Sequence, residues 1–187
     1  SNKCTSTVPI TNINLLNTEN VTNMTGMFMA TGYTAMTTLD LGTNFNTAKV
    51  TNMTEMFAKT GYKKMTAIKF GNKFNTAKVT DMSWMFFGFG YTALTSLDLS
   101  TASFSTASVT NMEWMFTDCG YTAMTTFKIG TTFNTAKVVN MDHMFQFFGR
   151  TALTSLDLGS NFNTSNVTTM EGMFWGTGLK AMTTLNL

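Results

Sequence analysis

Charge is scarce in this chain. Asp, Glu, Lys and Arg together make up 12% of its 187 residues, and the formal net charge is +2. So thin and balanced a complement leaves no electrostatic footprint for nucleic acid and no basic cluster for a membrane surface. Histidine occurs once, as His143. With no nucleophile beside a base, and with acids recurring at fixed positions, nothing assembles the converging unlike groups that catalysis needs. Phosphate-loop, zinc and calcium-loop spacings are missing too, so no cofactor and no metal are expected. The two cysteines, Cys4 and Cys119, are far apart and form neither a disulfide framework nor a metal pattern. Cys4 has two readings, a lipidated residue after processing or a plain terminal thiol, and the plain thiol is preferred. Apolar runs are too short for a transmembrane helix, and no signal peptide is visible. Thr and Asn carry the polarity that charge does not.

What the chain does have is one pattern written six times. Phe45–Phe57 returns as 74–86, 104–116, 133–145 and 162–174, with Leu16–Phe28 as the first copy. The starts at 16, 45, 74, 104, 133 and 162 are 29 or 30 residues apart, a period that marks a stack of repeats in which no single unit buries its apolar face alone. The division that follows is an N-terminal strand or cap segment, 1–15, and six repeats: 16–44, 45–73, 74–103, 104–132, 133–161 and 162–187. Residues shared by all copies build the stack. Only deviations from the pattern can mark a site.

The second half of each repeat reads as a strand. Met36-x-x-Leu39-x-Leu41 recurs through Leu153-x-x-Leu156-x-Leu158 to Met182-x-x-Leu185-x-Leu187, the L-x-x-L-x-L skeleton of a leucine-rich repeat. Its last two apolar residues are two apart and share one face. Six such strands are expected to stack in parallel, and Ile10-x-x-Ile13-x-Leu15 imitates a seventh ahead of them. In the first half Val50, Met53 and Phe57 fall at i, i+3 and i+7, which predicts a short outer helix capped by Thr51 or Asn52 and ended by Gly61. The fold class expected is therefore an α/β solenoid, a right-handed leucine-rich-repeat superhelix with a parallel concave sheet and short helices on the convex side. Twelve of the 17 methionines occupy two core columns, a packing stripe rather than a metal or haem site. The Asn column from Asn17 to Asn163 and the Thr column from Thr18 to Thr164 are expected to satisfy turn backbone groups.

The signature N-T-x-x-V-T-x-M-x-x-M-F, as at 163–174, resembles that of the BspA-like leucine-rich-repeat surface proteins. The resemblance spans about residues 16–187. It implies an extracellular or surface-anchored protein of bacteria or microbial eukaryotes, often proposed to be an adhesin, with no enzymatic activity. The family's usual Cys after Met-Phe survives only as Cys119, and the inserted Gly-Tyr-Thr-Ala segment lengthens each unit.

Three surfaces are candidates for function. On the concave strands, Asp40, Lys69, Asp98, Lys128, Asp157 and Asn186 alternate in sign, so each charge is expected to neutralise its neighbours on both sides. The companion positions Thr38, Ala67, Ser96, Thr126, Ser155 and Thr184 are small. On the outer side the variable positions gather Trp84, Phe87, Trp114, His143 and Trp175, near Phe89, Phe147 and Phe148. That aromatic group is either a ligand-binding surface, suited to protein or to sugar rings, or packing between neighbouring repeats. His143 reads as an outer-face residue, not a metal ligand or a base. Regular Thr rows raise a third reading, an ice-binding face, which the intruding Asp and Lys argue against.

The leading expectation is a non-enzymatic surface repeat domain for adhesion or recognition, whose partner is a host or neighbouring-cell protein or glycan, with no nucleic acid and no membrane insertion by this stretch. The alternative is a structural spacer. Because Leu187 falls in mid-repeat with no polar cap after it, the natural chain is expected to continue with more repeats, a cap or an anchor.

Overall fold

The computed structural model describes residues 10–100 and 104–187. Cys4 and most of the expected cap segment lie outside them. Each repeat contributes one short strand: β1 (Thr38–Asp40), β2 (Ala67–Lys69), β3 (Ser96–Asp98), β4 (Thr126–Lys128), β5 (Ser155–Asp157) and β6 (Thr184–Asn186). They pair in parallel and in repeat register, Leu39 opposite Ile68, Leu97 opposite Phe127 and Leu156 opposite Leu185. Apolar central residues and small or charged flanks produce the expected alternation, buried Leu39 lying between exposed Thr38 and Asp40.

The expected six-stranded sheet is instead three hydrogen-bonded pairs, β1–β2, β3–β4 and β5–β6. In the first four repeats the split runs in phase with burial. Odd repeats place Leu39 and Leu41, Leu97 and Leu99, or Leu156 and Leu158 in full burial. The second and fourth repeats carry Ile68 and Phe70, or Phe127 and Ile129, and leave them half-buried, while the sixth carries Leu185 and Leu187, both exposed. The charge alternation has the same two-repeat phase. Asp40 and Lys69 sit within one pair and meet at 3.6 Å, and among the described residues this is the only ion pair. Neutralisation on both sides is therefore not found. Nor is a seventh strand: Ile13–Leu15 forms a single 3-10 turn that buries Ile13.

The greatest departure concerns the outer helix. In place of the short convex helices, residues such as 53–61 form a ribbon of overlapping turns. Backbone N–H groups of Met56, Ala58 and Thr60 donate within the repeat to the carbonyls of Met53, Glu55 and Phe57, at 3.0–3.1 Å. The alternate N–H groups, of Met53, Glu55, Phe57 and Lys59, donate to Asp81, Ser83, Met85 and Phe87 of the next repeat. An α-helix would spend every donor inside itself and hold φ near −63°. Here φ is +57° at Glu55, +55° at Lys59 and +55° at Gly61. Left-handed backbone costs a non-glycine residue about 1–2 kcal/mol, and the hydrogen bonds gained across the repeat boundary offset it.

Beside this ribbon runs a continuous ladder, Asn23–Asn52–Asp81–Asn111–Asn140–Thr169, bridged in parallel through all six repeats. The side-chain oxygens of Asn52, Asp81, Asn111 and Asn140 each accept the N–H two residues on, at 2.9–3.1 Å. Thr169 has no such carbonyl. Asp142 of the preceding repeat replaces it, its carboxylate accepting from the Glu171 N–H at 2.6 Å and the Thr169 hydroxyl at 2.5 Å. The Thr column behaves as the sequence suggests: the Thr47 hydroxyl donates to the Asn75 carbonyl and accepts from the Asn75 N–H, both at 2.7 Å.

Between strands and ribbon lies one core built of columns. Phe45, Phe74, Phe104 and Phe133 are at most 2% exposed, and the paired methionines of the four middle repeats are fully buried. Phe28, Phe57, Phe86, Phe116, Phe145 and Phe174 stack ring on ring at 5.3–5.8 Å. Methionine suits the gaps beside such rigid rings because its thioether adapts to irregular space.

Candidate functional site

The turn ribbon positions the aromatic group. Trp84, Trp114 and His143 occupy one column, all with φ between +57° and +61°. Their shared backbone conformation makes the rings parallel: Trp84 and Trp114 are 4.9 Å apart at 13°, and Trp114 and His143 are 4.2 Å apart at 8°. Phe87 closes against Trp84 at 4.8 Å and against Trp114 edge-on at 6.4 Å. Four of the five expected residues therefore form one half-buried cluster. Trp175 is not among them. It packs on Phe147 at 5.4 Å and remains 63% exposed.

The stacking decides what the cluster presents. Both faces of Trp114 are covered, by Trp84 and by His143, so its edge faces outward, and its indole N–H donates to Glu113 at 3.1 Å. A sugar ring stacks on an exposed aromatic face; Trp114 offers none. Beyond His143 the column ends in Gly172, where an added Cβ would lie 2.9 Å from the imidazole. Glycine there is what lets His143 lean across the boundary. His143 Nδ1 is buried without a hydrogen-bond partner.

A second aromatic column was not singled out by sequence reasoning. Tyr33, Tyr62, Tyr91 and Tyr121 stack at 4.5–4.7 Å, and Arg150 takes the next place. The Arg150 guanidinium donates to the Tyr121 hydroxyl and lies 5.4 Å from the ring centres of both Tyr121 and Phe147. Burial pushes Tyr62 up to about 12, with Tyr33 adding to the effect and a hydrogen bond with Tyr91 opposing it. Tyr91 is raised further, again chiefly by burial. Asp118, close by, is also raised by desolvation, although Lys59 and Arg150 pull it back. The signal for this column is the tyrosine that recurs after glycine at one position of successive repeats, within the segment that lengthens each unit.

Elsewhere, burial raises the Cys119 thiol far above its ordinary range, so the nucleophilic thiolate is suppressed. Among the described residues no group of three or more His, Cys, Asp or Glu could hold a metal ion, and no helix is long and apolar enough to cross a membrane. A polar hollow of about 310 Å³ lies near the first repeat, lined by residues including Leu16, Asn17, Glu19, Asn44 and Lys73. It opens where Leu16, 44% exposed, replaces the buried phenylalanine of later repeats.

The family model described as "Mycoplasma protein of unknown function, DUF285" matches residues 2–126 and, in a second overlapping window, 89–180. The chain belongs to that family. Two overlapping windows are natural for a pattern that repeats along the chain. No curated protein and no solved structure matches it.

Proposed function

We propose that this chain is a non-enzymatic recognition module, displayed outside a microbial cell, that contacts a protein or glycan through its outer aromatic side. In this reading the repeats wind as a right-handed, BspA-like leucine-rich-repeat solenoid, with the turn ribbon taking the place of convex helices. The observation that carries the reading is the concentration of unlike residues at one place. Trp84, Phe87, Trp114 and His143 fill columns that hold Gly26, Glu55 and Gly172, or Met29 and Ala58, in other repeats. A scaffold alone has no need for such variation. Trp175, 63% exposed, supplies an open ring face beside the edges of the cluster.

The test is binding of the full chain to protein and glycan arrays, repeated with Trp175→Ala and with Trp84→Ala/Trp114→Ala. Loss of a partner by variants that keep the wild-type unfolding transition supports the site. Undiminished binding discards it.

One observation favours a second reading, a purely structural spacer: Trp114 is covered on both faces, as a ring serving repeat-to-repeat packing would be. A spacer binds no partner, and the double variant then loses stability alone.

A further inference from the structure

The chain contains 17 phenylalanines and four tyrosines, and all four tyrosines stand in a single column. Stacking by itself does not require this, since Phe28 through Phe174 stack without hydroxyls. Tyr33–Tyr62, Tyr62–Tyr91 and Tyr91–Tyr121 are separated by 4.7, 4.6 and 4.5 Å, with planes 3°, 11° and 14° apart. All four rings are half-buried, so their edges meet solvent while their faces meet one another. Each phenol thus has a second phenol, similarly oriented, on the adjoining repeat.

We propose that this column is an oxidative modification site, at which a haem peroxidase with hydrogen peroxide joins tyrosines of adjacent repeats as dityrosine. Two neighbouring phenols each give up one electron and one proton. The phenoxyl radicals couple through carbons ortho to oxygen, forming one carbon–carbon bond. The two ortho hydrogens then leave as protons while the ring oxygens take up two, restoring both phenols. Hydrogen peroxide accepts the two electrons and two protons overall and becomes two waters.

The near-parallel rings are held by backbone hydrogen bonds on either side of the column, among them Lys63 N–H to the Tyr33 carbonyl at 2.9 Å and Thr92 N–H to the Tyr62 carbonyl at 3.0 Å. The phenols are therefore already neighbours, and coupling requires their side chains to turn out of the face-to-face stack until the new bond lies in both ring planes. Arg150, whose guanidinium engages the Tyr121 hydroxyl, ends the run of phenols. The product closes a loop one repeat long, which restricts the unfolded chain as a disulfide does. This proposal is independent of the recognition reading, since it concerns a different column and requires no partner protein.

Dilute full-length chain, treated with peroxidase and peroxide, should gain dityrosine fluorescence while remaining monomeric. Peptide mapping should find links only between neighbours: 33 with 62, 62 with 91, and 91 with 121. Tyr62→Phe/Tyr121→Phe keeps stackable rings but leaves Tyr33 and Tyr91 without adjacent phenols, and should lose the intramolecular product. Links that skip a repeat, dityrosine confined to intermolecular dimers, or no dityrosine in wild type would each overturn the proposal. Should the double variant fail to fold, the map of linked positions in wild type decides alone.

Discussion

The imidazole of His143 lies flat on the indole of Trp114, ring centres 4.2 Å apart and planes 8° apart. Aromatic pairs contribute about 0.5–1.5 kcal/mol beyond the area they bury. His143→Ala should therefore lower the unfolding free energy by a comparable amount, read as a lower urea midpoint at an unchanged denaturant slope. It also uncovers one face of Trp114, which iodide quenching of a Trp84→Phe/Trp175→Phe chain would register as increased access.

A core ring tests the column that runs through every repeat. Phe116 is fully buried and stacked on both sides, at 5.6 Å and 5.3 Å. Phe116→Ala should cost about 3–5 kcal/mol, the usual range for a buried Phe truncation. Val139→Ser, at a position 43% exposed, should stay within about 0.5 kcal/mol of wild type. Equilibrium unfolding of both variants makes the comparison.

Two glycines separate close approach from backbone conformation. A Cβ on Gly71 would fall 1.6 Å from the Gly42 carbonyl oxygen, so Gly71→Ala must push two repeats apart. At Gly26 the nearest atom would be 3.9 Å away and only φ of +61° resists. Gly26→Ala should cost about 1–2 kcal/mol, the penalty for left-handed backbone, and Gly71→Ala clearly more.

Alkaline pH should unfold the protein through its tyrosine column. The folded-state value of Tyr62 is raised from 10.0 to about 12, so the folded protein holds its phenolic proton more tightly than the unfolded chain. Stability from this source is complete below pH 10 and is lost as pH rises from there toward 12. Tyr62→Phe should flatten the fall, as read from unfolding midpoints across that range. Asp118 is raised as well, so its contribution declines as pH rises above the ordinary carboxylate range. Asp118→Asn should remove that decline.

The strands and the core columns are legible because both follow from apolar letters at fixed spacing: the Leu39 and Leu41 positions stay apolar in every repeat, and Met53, Met56 and Phe57 recur fully buried in the middle repeats. The outer helix was misread because Val50, Met53 and Phe57 at i, i+3 and i+7 suit a ribbon of three-residue turns as well as a helix. A correcting signal existed. Gly26 and Gly172 share a column with Glu55, Trp84, Trp114 and His143, and all six hold positive φ. The first two strand pairs run in phase with the rhythm of Leu-Asp-Leu against Ile-Lys-Phe or Phe-Lys-Ile, which Leu-Asn-Leu of the sixth repeat does not continue. The placement of Trp175 apart from Trp114 was not, because no pattern in the letters reveals which rings stack and which remain exposed.

Alignment of corresponding residues in adjacent repeats is the claim on which the rest depends, and paired cysteines test it directly. The Thr80 N–H donates to the Thr51 carbonyl at 2.8 Å, and the Thr110 N–H to the Thr80 carbonyl at 2.9 Å. Strand neighbours of this kind are about 4.8 Å apart, within reach of a disulfide, whereas residues two repeats apart are at about twice that distance and out of reach. In a Cys4→Ser background, with Cys119 buried, Thr51→Cys/Thr80→Cys should oxidise to an intramolecular disulfide and Thr51→Cys/Thr110→Cys should not. Failure of the first pair in folded protein, or equal yields from both, would contradict the stacked arrangement.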